Sequence, residues 1–154
     1  MKRKNLVKIH LLATTIAVIT ILTFFTSSVF AELNGDETIF KTVKTSIFYA
    51  LPLLLIAMPT LGISGNKLAG KSTNQEVLKK QKRMKLIVFN GIVLISLASF
   101  LYYQANFKAI DAVFLYAQLA EFAFGIGNLV LIGLNIKSGL VLSGRLKKQA
   151  QVKV

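Results

Sequence analysis

The chain has 154 residues, a formal net charge of +13, one histidine and no cysteine. This length fits a single ordinary domain, and the lack of cysteine excludes disulfides and thiolate metal sites. With one histidine in addition, we expect neither a metal site nor a bound cofactor. The positive charge does not predict a nucleic-acid partner, because the lysines and arginines form three clusters between four long apolar runs.

The first apolar run covers about residues 6–31, which is long enough to span a bilayer core of about 20 helical residues. Its end, Val29-Phe30-Ala31, is similar to a signal-peptidase site. A cleaved signal has an apolar region of only about 7–15 residues, so we expect an uncleaved membrane helix. His10 lies about one turn inside this helix, where it could ligate haem, carry protons or extend toward the lipid headgroups, as amphipathic side chains near helix ends do.

The second run covers about residues 42–63 and contains Pro52 and Pro59. Each proline removes a backbone donor and bends a helix, which membranes tolerate where neighbouring groups bond the freed carbonyls. A polar, basic loop is expected over residues 64–84. Within it, residues 65–72 match the G-x-x-x-x-G-K-[ST] pattern of phosphate-binding loops. That chemistry requires a preceding strand, and a membrane helix precedes this loop, so we expect no nucleotide partner.

The third and fourth runs cover about residues 86–103 and 112–136, and a basic tail follows at 137–154. The sequence therefore predicts an all-α fold, a four-helix transmembrane bundle that forms a single membrane domain over residues 1–154. Sixteen of the nineteen lysines and arginines fall on one side of this arrangement. Because basic residues are retained on the cytoplasmic side, both termini and the middle loop are predicted to be cytoplasmic. We expect a multi-pass protein of the bacterial cytoplasmic (inner) membrane, with the lipid bilayer as its surroundings.

Glu121 is the most informative polar residue of the sequence. It lies roughly 15 Å into the fourth predicted helix, close to the bilayer midplane, where an ionised carboxylate is costly unless it is paired or protonated. Gln118 and Asn128 share its helix face, and Lys44 and Asn90 on other helices are candidate partners. Two interpretations stay open. Glu121 is either a protonated acid that hydrogen-bonds between helices or a proton- or ion-responsive group.

A seam of small residues runs beside this polar stripe on the fourth helix, formed by Ala117, Ala120 and Gly127. Small residues permit close helix packing in membranes. They therefore suggest a homodimer contact.

Several short stretches of the sequence carry a resemblance to known proteins. They are Lys8-Ile9-His10, Val43-Lys44, Pro59 with Gly62, Lys82-Arg83-Met84, Asn90-Gly91, and Gln118, Glu121, Gly125, Asn128-Leu129, Gly133-Leu134-Asn135 and Gly139. In these positions the chain resembles an uncharacterised family of small four-helix bacterial inner-membrane proteins. The resemblance implies a four-helix membrane fold and no established activity.

No catalytic motif is found, so we expect a protein that is not an enzyme. The leading expectation is an accessory or assembly subunit, acting as a homodimer or within a larger membrane complex. The alternative is a small proton- or ion-coupled transporter or channel that uses Glu121. A weaker alternative is a haem- or quinone-binding membrane protein that uses His10.

Overall fold

A computed structural model describes residues 2–145, and this part of the chain consists of four α-helices joined by short connections. They are α1 (Arg3–Asn34), α2 (Glu37–Ala69), α3 (Gln75–Phe107) and α4 (Ala112–Leu142). Each helix is long and apolar enough to cross a membrane. The predicted all-α, four-helix fold is confirmed, and the chain is a multi-pass membrane protein. The side on which the termini lie stays a prediction.

Polar caps begin three of the helices. The side chains of Asp36, Asn74 and Asp111 accept hydrogen bonds from amides in the first turns of α2, α3 and α4. Such caps satisfy backbone donors that have no partner within the helix. The amides of Ile39 and Thr38 favour the ionised carboxylate and lower the pKa of the exposed Asp36. Consecutive helices run antiparallel and are joined by short connections.

The helices pack in chain order around a square. α1 lies against α2, α2 against α3 and α3 against α4, while α1 and α4 close the square and are the least closely packed of the four neighbouring pairs. α2 and α4 therefore face each other across a diagonal. We call the end that carries the α2–α3 connection, the start of α1 and the end of α4 the basic end. The end with the other two connections is the opposite end.

The core is apolar along most of the bundle. Its largest cluster includes small residues of α1, Ala13 and Ala17, which let the neighbouring helices approach closely. A second cluster near the opposite end contains Phe40 and Phe114, whose rings meet edge to face at 5.3 Å. Large apolar side chains are also exposed on every helix. Such exposure is expected where lipid rather than water surrounds the helices.

The helices are longer than the apolar runs that predicted them. Much of the predicted loop at 64–84 is helical, since α2 continues to Ala69 and α3 begins at Gln75. Hydropathy marks the part of a helix that suits hydrocarbon, but lysine, glutamine and glutamate are good helix formers beyond it. The predicted tail at 137–154 likewise begins as the last turns of α4. Its residues 146–154 lie outside the described part of the chain.

The small-residue seam of α4 packs within the chain. Ala117 contacts the apolar cluster at the opposite end, and a Cβ atom placed at Gly127 would lie 3.8 Å from Asn90 Nδ2 of α3. Ala120 is half-buried. Ala117 and Gly127 therefore take part in packing within the chain, and the expected homodimer stays a prediction.

Candidate functional site

A buried ion pair joins α2 to α4 across the diagonal of the bundle. Lys44 Nζ lies 2.6 Å from Glu121 Oε2, and the exposed fractions of the two side chains are 0% and 12%. Lysine is almost never fully buried unless it is paired. The long side chain of Lys44 reaches the carboxylate from a helix that does not pack directly against α4.

Two further side chains complete the site. The Ser28 hydroxyl of α1 accepts a hydrogen bond from Lys44 Nζ at 2.9 Å and donates to Glu121 Oε2 at 3.3 Å. Gln118 Nε2 donates to the same carboxylate oxygen at 3.2 Å. Oε2 thus receives hydrogen bonds from three helices' side chains, whereas Oε1 receives none from residues 2–145. The site connects α1, α2 and α4 through one oxygen atom.

Glu32 adds a second acidic group to the surroundings of Lys44. Its carboxylate acts on the ammonium group through space, and its Oε2 atom is buried without a hydrogen bond from the described residues. The ammonium group of Lys44 therefore has two carboxylates nearby and bonds to one of them.

The ion pair lies about halfway between the opposite end of the bundle and its middle. At the standard helical rise, Lys44 is roughly 10 Å from the start of α2 and Glu121 is roughly 14 Å from the start of α4. The sequence placed Glu121 at the centre of a shorter helix. In the structure α4 continues to Leu142, so Glu121 lies in the half of this longer helix that is nearer to the opposite end.

Buried polar side chains lie along α4 on both sides of the ion pair. Gln118, Asn128 and Asn135 are all buried. Gln118 Oε1, both amide atoms of Asn128 and Asn135 Oδ1 have no hydrogen-bond partner among the described residues. Asn135 Nδ2 donates to the backbone carbonyl of Lys80 at 3.3 Å. The polar stripe predicted on this helix thus faces the interior of the bundle.

A small void adjoins the carboxylate of Glu121. Its volume is about 30 Å³, and the residues around it are otherwise apolar, among them Phe24, Phe25 and Leu94. This volume exceeds the roughly 10–15 Å³ that one water molecule needs. The carboxylate of Glu121 is therefore not packed on all sides by protein atoms.

Two of the predicted site residues lie apart from this cluster. Asn90 lies beside Gly127, roughly 9 Å along α4 from Glu121. His10 lies at the basic end, where its Nδ1 atom is 2.9 Å from Ser64 Oγ. The structure therefore brings together Lys44, Glu121 and Gln118, with Asn128 on the same face of α4.

Sequence reasoning missed Ser28 and Glu32. Ser28 stands among several hydroxyl residues of the first apolar run, and nothing in its sequence context separates it from the hydroxyls that bond to their own helix. Glu32 lies in an acidic turn that reads as a solvent-exposed connection. Both were accessible only from the packing of α1 against α2 and α4.

The stretch that matches the phosphate-binding pattern is not an open loop. Its first residues, Gly65 to Ala69, form the last turn of α2, and a Cβ atom at Gly65 would lie 2.6 Å from Met84 Cε. A phosphate-binding loop presents its backbone amides to the phosphates. Here those amides belong to a helix end that is packed against α3.

No protein-family model, curated protein or solved structure matches this chain. The resemblance drawn from the sequence motifs therefore stays a prediction. The function has to be argued from the site itself.

Proposed function

We propose that this protein is a non-enzymatic integral protein of the bacterial cytoplasmic membrane that serves as an accessory or assembly subunit of a larger membrane complex. The observation that carries the proposal is the Lys44–Glu121 ion pair. Lys44 is the one charged residue that is buried within residues 2–145, and its charge is balanced inside the chain. A charge pair of this kind suits a structural clamp.

The clamp acts where the bundle needs it. α1 and α4 are the least closely packed of the neighbouring helices, and α2 and α4 lie on a diagonal, so few apolar contacts fix α4 against the first two helices. Ser28, Lys44 and Glu121 link all three by hydrogen bonds. The outer faces stay apolar and open to lipid or to helices of a partner. The basic end is cytoplasmic in this proposal, because it holds most of the lysines and arginines.

The test is the composition of the complex that the protein forms. A tagged full chain is purified from bacterial membranes in mild detergent, beside Lys44→Met and the double variant Lys44→Met/Glu121→Leu. We expect the same membrane proteins to co-purify in fixed ratio with the wild type and the double variant, and to be lost from the single variant. Purification of the wild type alone, as a self-contained oligomer, would contradict the proposal.

A second candidate is a small proton- or ion-coupled transporter in which Glu121 is the coupling residue. The observation in its favour is that Asn128 and Asn135, which are buried between Glu121 and the basic end, carry amide atoms without a hydrogen-bond partner among residues 2–145. Such polar groups mark proton and ion pathways in other membrane proteins. The void beside Glu121 would admit one water molecule to the carboxylate.

Ion flux into liposomes tests this second candidate. The purified chain is reconstituted and the internal pH is followed with a dye, for the wild type, Glu121→Gln and the exposed-site control Glu37→Gln. Flux in the wild type and control that disappears in Glu121→Gln, while circular dichroism shows this variant still folded, would establish transport that depends on Glu121. Equal background rates in all three would reject it. A Soret band in the purified protein would instead favour haem binding through His10.

A further inference from the structure

The basic end of the bundle contains a cavity of about 1450 Å³ to which all four helices contribute. It extends inward to Thr14, Leu61 and Ile132, where the apolar core begins. Pockets for drug-sized ligands are about 300–1,000 Å³. This cavity is therefore large enough for a longer molecule than an inorganic ion.

The lining of the cavity is cationic and contains no acidic residue of the part of the chain that the structure describes. Six basic residues line it, and no acidic residue among residues 2–145 does: Arg3, Lys79, Lys80, Lys82, Lys85 and Arg145. Glu76 is the one acid of the chain at this end, and it lies 3.7 Å from Lys79. The sequence after Arg145 contains no aspartate or glutamate. Five of the six basic residues therefore have no carboxylate partner among residues 2–145.

Lys80 shows this imbalance most directly. Its side chain is half-buried, and its Nζ atom lies against α4, 3.3 Å from where a Cβ atom at Gly139 would be. No carboxylate of residues 2–145 lies within 4.0 Å of it. By contrast, the neighbouring Arg83 donates to Ser138 Oγ at 3.1 Å. Lys80 is thus a cation held inside a cavity wall without an anion.

The deeper wall of the cavity is apolar. Leu61 and Ile132 form its floor, and Leu11 of α1 and Ile136 of α4 line its sides while remaining exposed at the surface of the bundle. These two residues lie on α1 and α4, which are the least closely packed of the neighbouring helices. The cavity thus combines a cationic mouth with an apolar wall that continues toward lipid.

We propose that this cavity binds an amphiphile with a phosphate-bearing head, namely an anionic phospholipid of the surrounding leaflet. The head lies at the cationic mouth beside Lys80, and an acyl chain lies along the apolar wall between α1 and α4. Basic pockets between membrane helices bind anionic lipid headgroups by this combination of charge and depth. Free phosphate shares the charge but has no group that would use the apolar wall.

Binding is measured on the detergent-purified full chain by native mass spectrometry and by thermal stabilisation. The probes are phosphatidylglycerol, phosphatidylcholine with the same acyl chains, and inorganic phosphate. We expect retained phosphatidylglycerol, at least tenfold weaker phosphatidylcholine, and no stabilisation by millimolar phosphate. Equal binding of the two lipids would overturn the role of charge. Phosphate that stabilises as well as phosphatidylglycerol would overturn the lipid assignment.

Charge-neutralising variants locate the site. Each lysine near an anionic surface strengthens binding by about fivefold, so Lys80→Gln/Lys82→Gln/Lys85→Gln should bind phosphatidylglycerol roughly a hundredfold more weakly. The matched control changes three exposed lysines of the same end that do not line the cavity: Lys8, Lys67 and Lys71. We expect the control to bind within a few fold of the wild type. Equal weakening in both triple variants would show general surface attraction and refute the site. If a triple variant does not fold, the comparison of phosphatidylglycerol with phosphatidylcholine on the wild type still tests the proposal.

Discussion

Replacing Lys44 by methionine removes one partner of the buried ion pair and leaves the shape of the side chain largely unchanged. Glu121 would keep the hydrogen bonds from Ser28 and Gln118 but lose the ammonium group at 2.6 Å. Removing one member of a buried ion pair costs about 3–5 kcal/mol, because a charge is left without compensation. We expect the free energy of unfolding to fall by about that amount.

The double variant Lys44→Met/Glu121→Leu separates this cost from the loss of packing. Replacing both members of a buried pair with apolar residues is often neutral or stabilising. The double variant should therefore be within about 1 kcal/mol of the wild type, so that the two substitutions are strongly coupled. If Glu121 were a protonated acid, as one interpretation of the sequence has it, Glu121→Gln would leave the fold intact. With Lys44 in contact, we expect this variant to be destabilised as well.

Unfolding is followed by circular dichroism during titration of detergent micelles with sodium dodecyl sulfate. The control is the exposed pair Lys41–Glu37 on α2, whose charged atoms lie 3.9 Å apart. Changing both of these residues should alter the free energy of unfolding by at most about 0.5 kcal/mol, as for other surface pairs. If Lys44→Met costs no more than this control, or if the double variant is no more stable than Lys44→Met, the clamp does not exist.

Two further predictions concern the interior of the bundle. Asn128 is fully buried, and neither of its amide atoms has a hydrogen-bond partner among residues 2–145, so Asn128→Leu should raise the free energy of unfolding by about 1 kcal/mol; a loss of stability would show that the amide has a partner. Gly91→Leu should lower it by about 1–3 kcal/mol, because a Cβ atom at Gly91 already lies 3.1–3.3 Å from Met58. Gly133→Leu is the control, since no atom lies within 4 Å of a Cβ atom there, and equal effects of the two leucines would contradict this packing.

The number of helices was predictable because hydrocarbon imposes a simple rule on sequence. A span needs about 20 apolar residues, and four such runs stand between clusters of charge. Their ends were less predictable. α3 begins at Gln75, well before its apolar part. Lysine and glutamine extend a helix into water readily, and hydropathy does not detect such a polar extension.

The charged residues of the ion-pair site could be predicted from the sequence, but its uncharged residue Ser28 could not. A lysine and a glutamate within apolar runs each need a partner, so Lys44 and Glu121 could be suggested for each other. Their connection through Ser28 depends on which face α1 turns toward α2 and α4. A single polar residue in the sequence of α1 does not indicate that face. The sequence also could not indicate whether the small residues beside Gly127 contact this chain or a second copy. Small residues suit contacts within a chain and between chains equally well.

Accessibility of single cysteines tests the central claim, that four helices span the membrane with the basic end in the cytoplasm. The chain contains no cysteine, so Thr73→Cys and Ala109→Cys introduce one reactive group at the basic and opposite ends, both at exposed positions. A membrane-impermeant maleimide is added to spheroplasts before and after permeabilisation. We expect Ala109→Cys to be labelled from outside and Thr73→Cys only after permeabilisation. Labelling of both positions from outside, or in the reverse order, would contradict the arrangement.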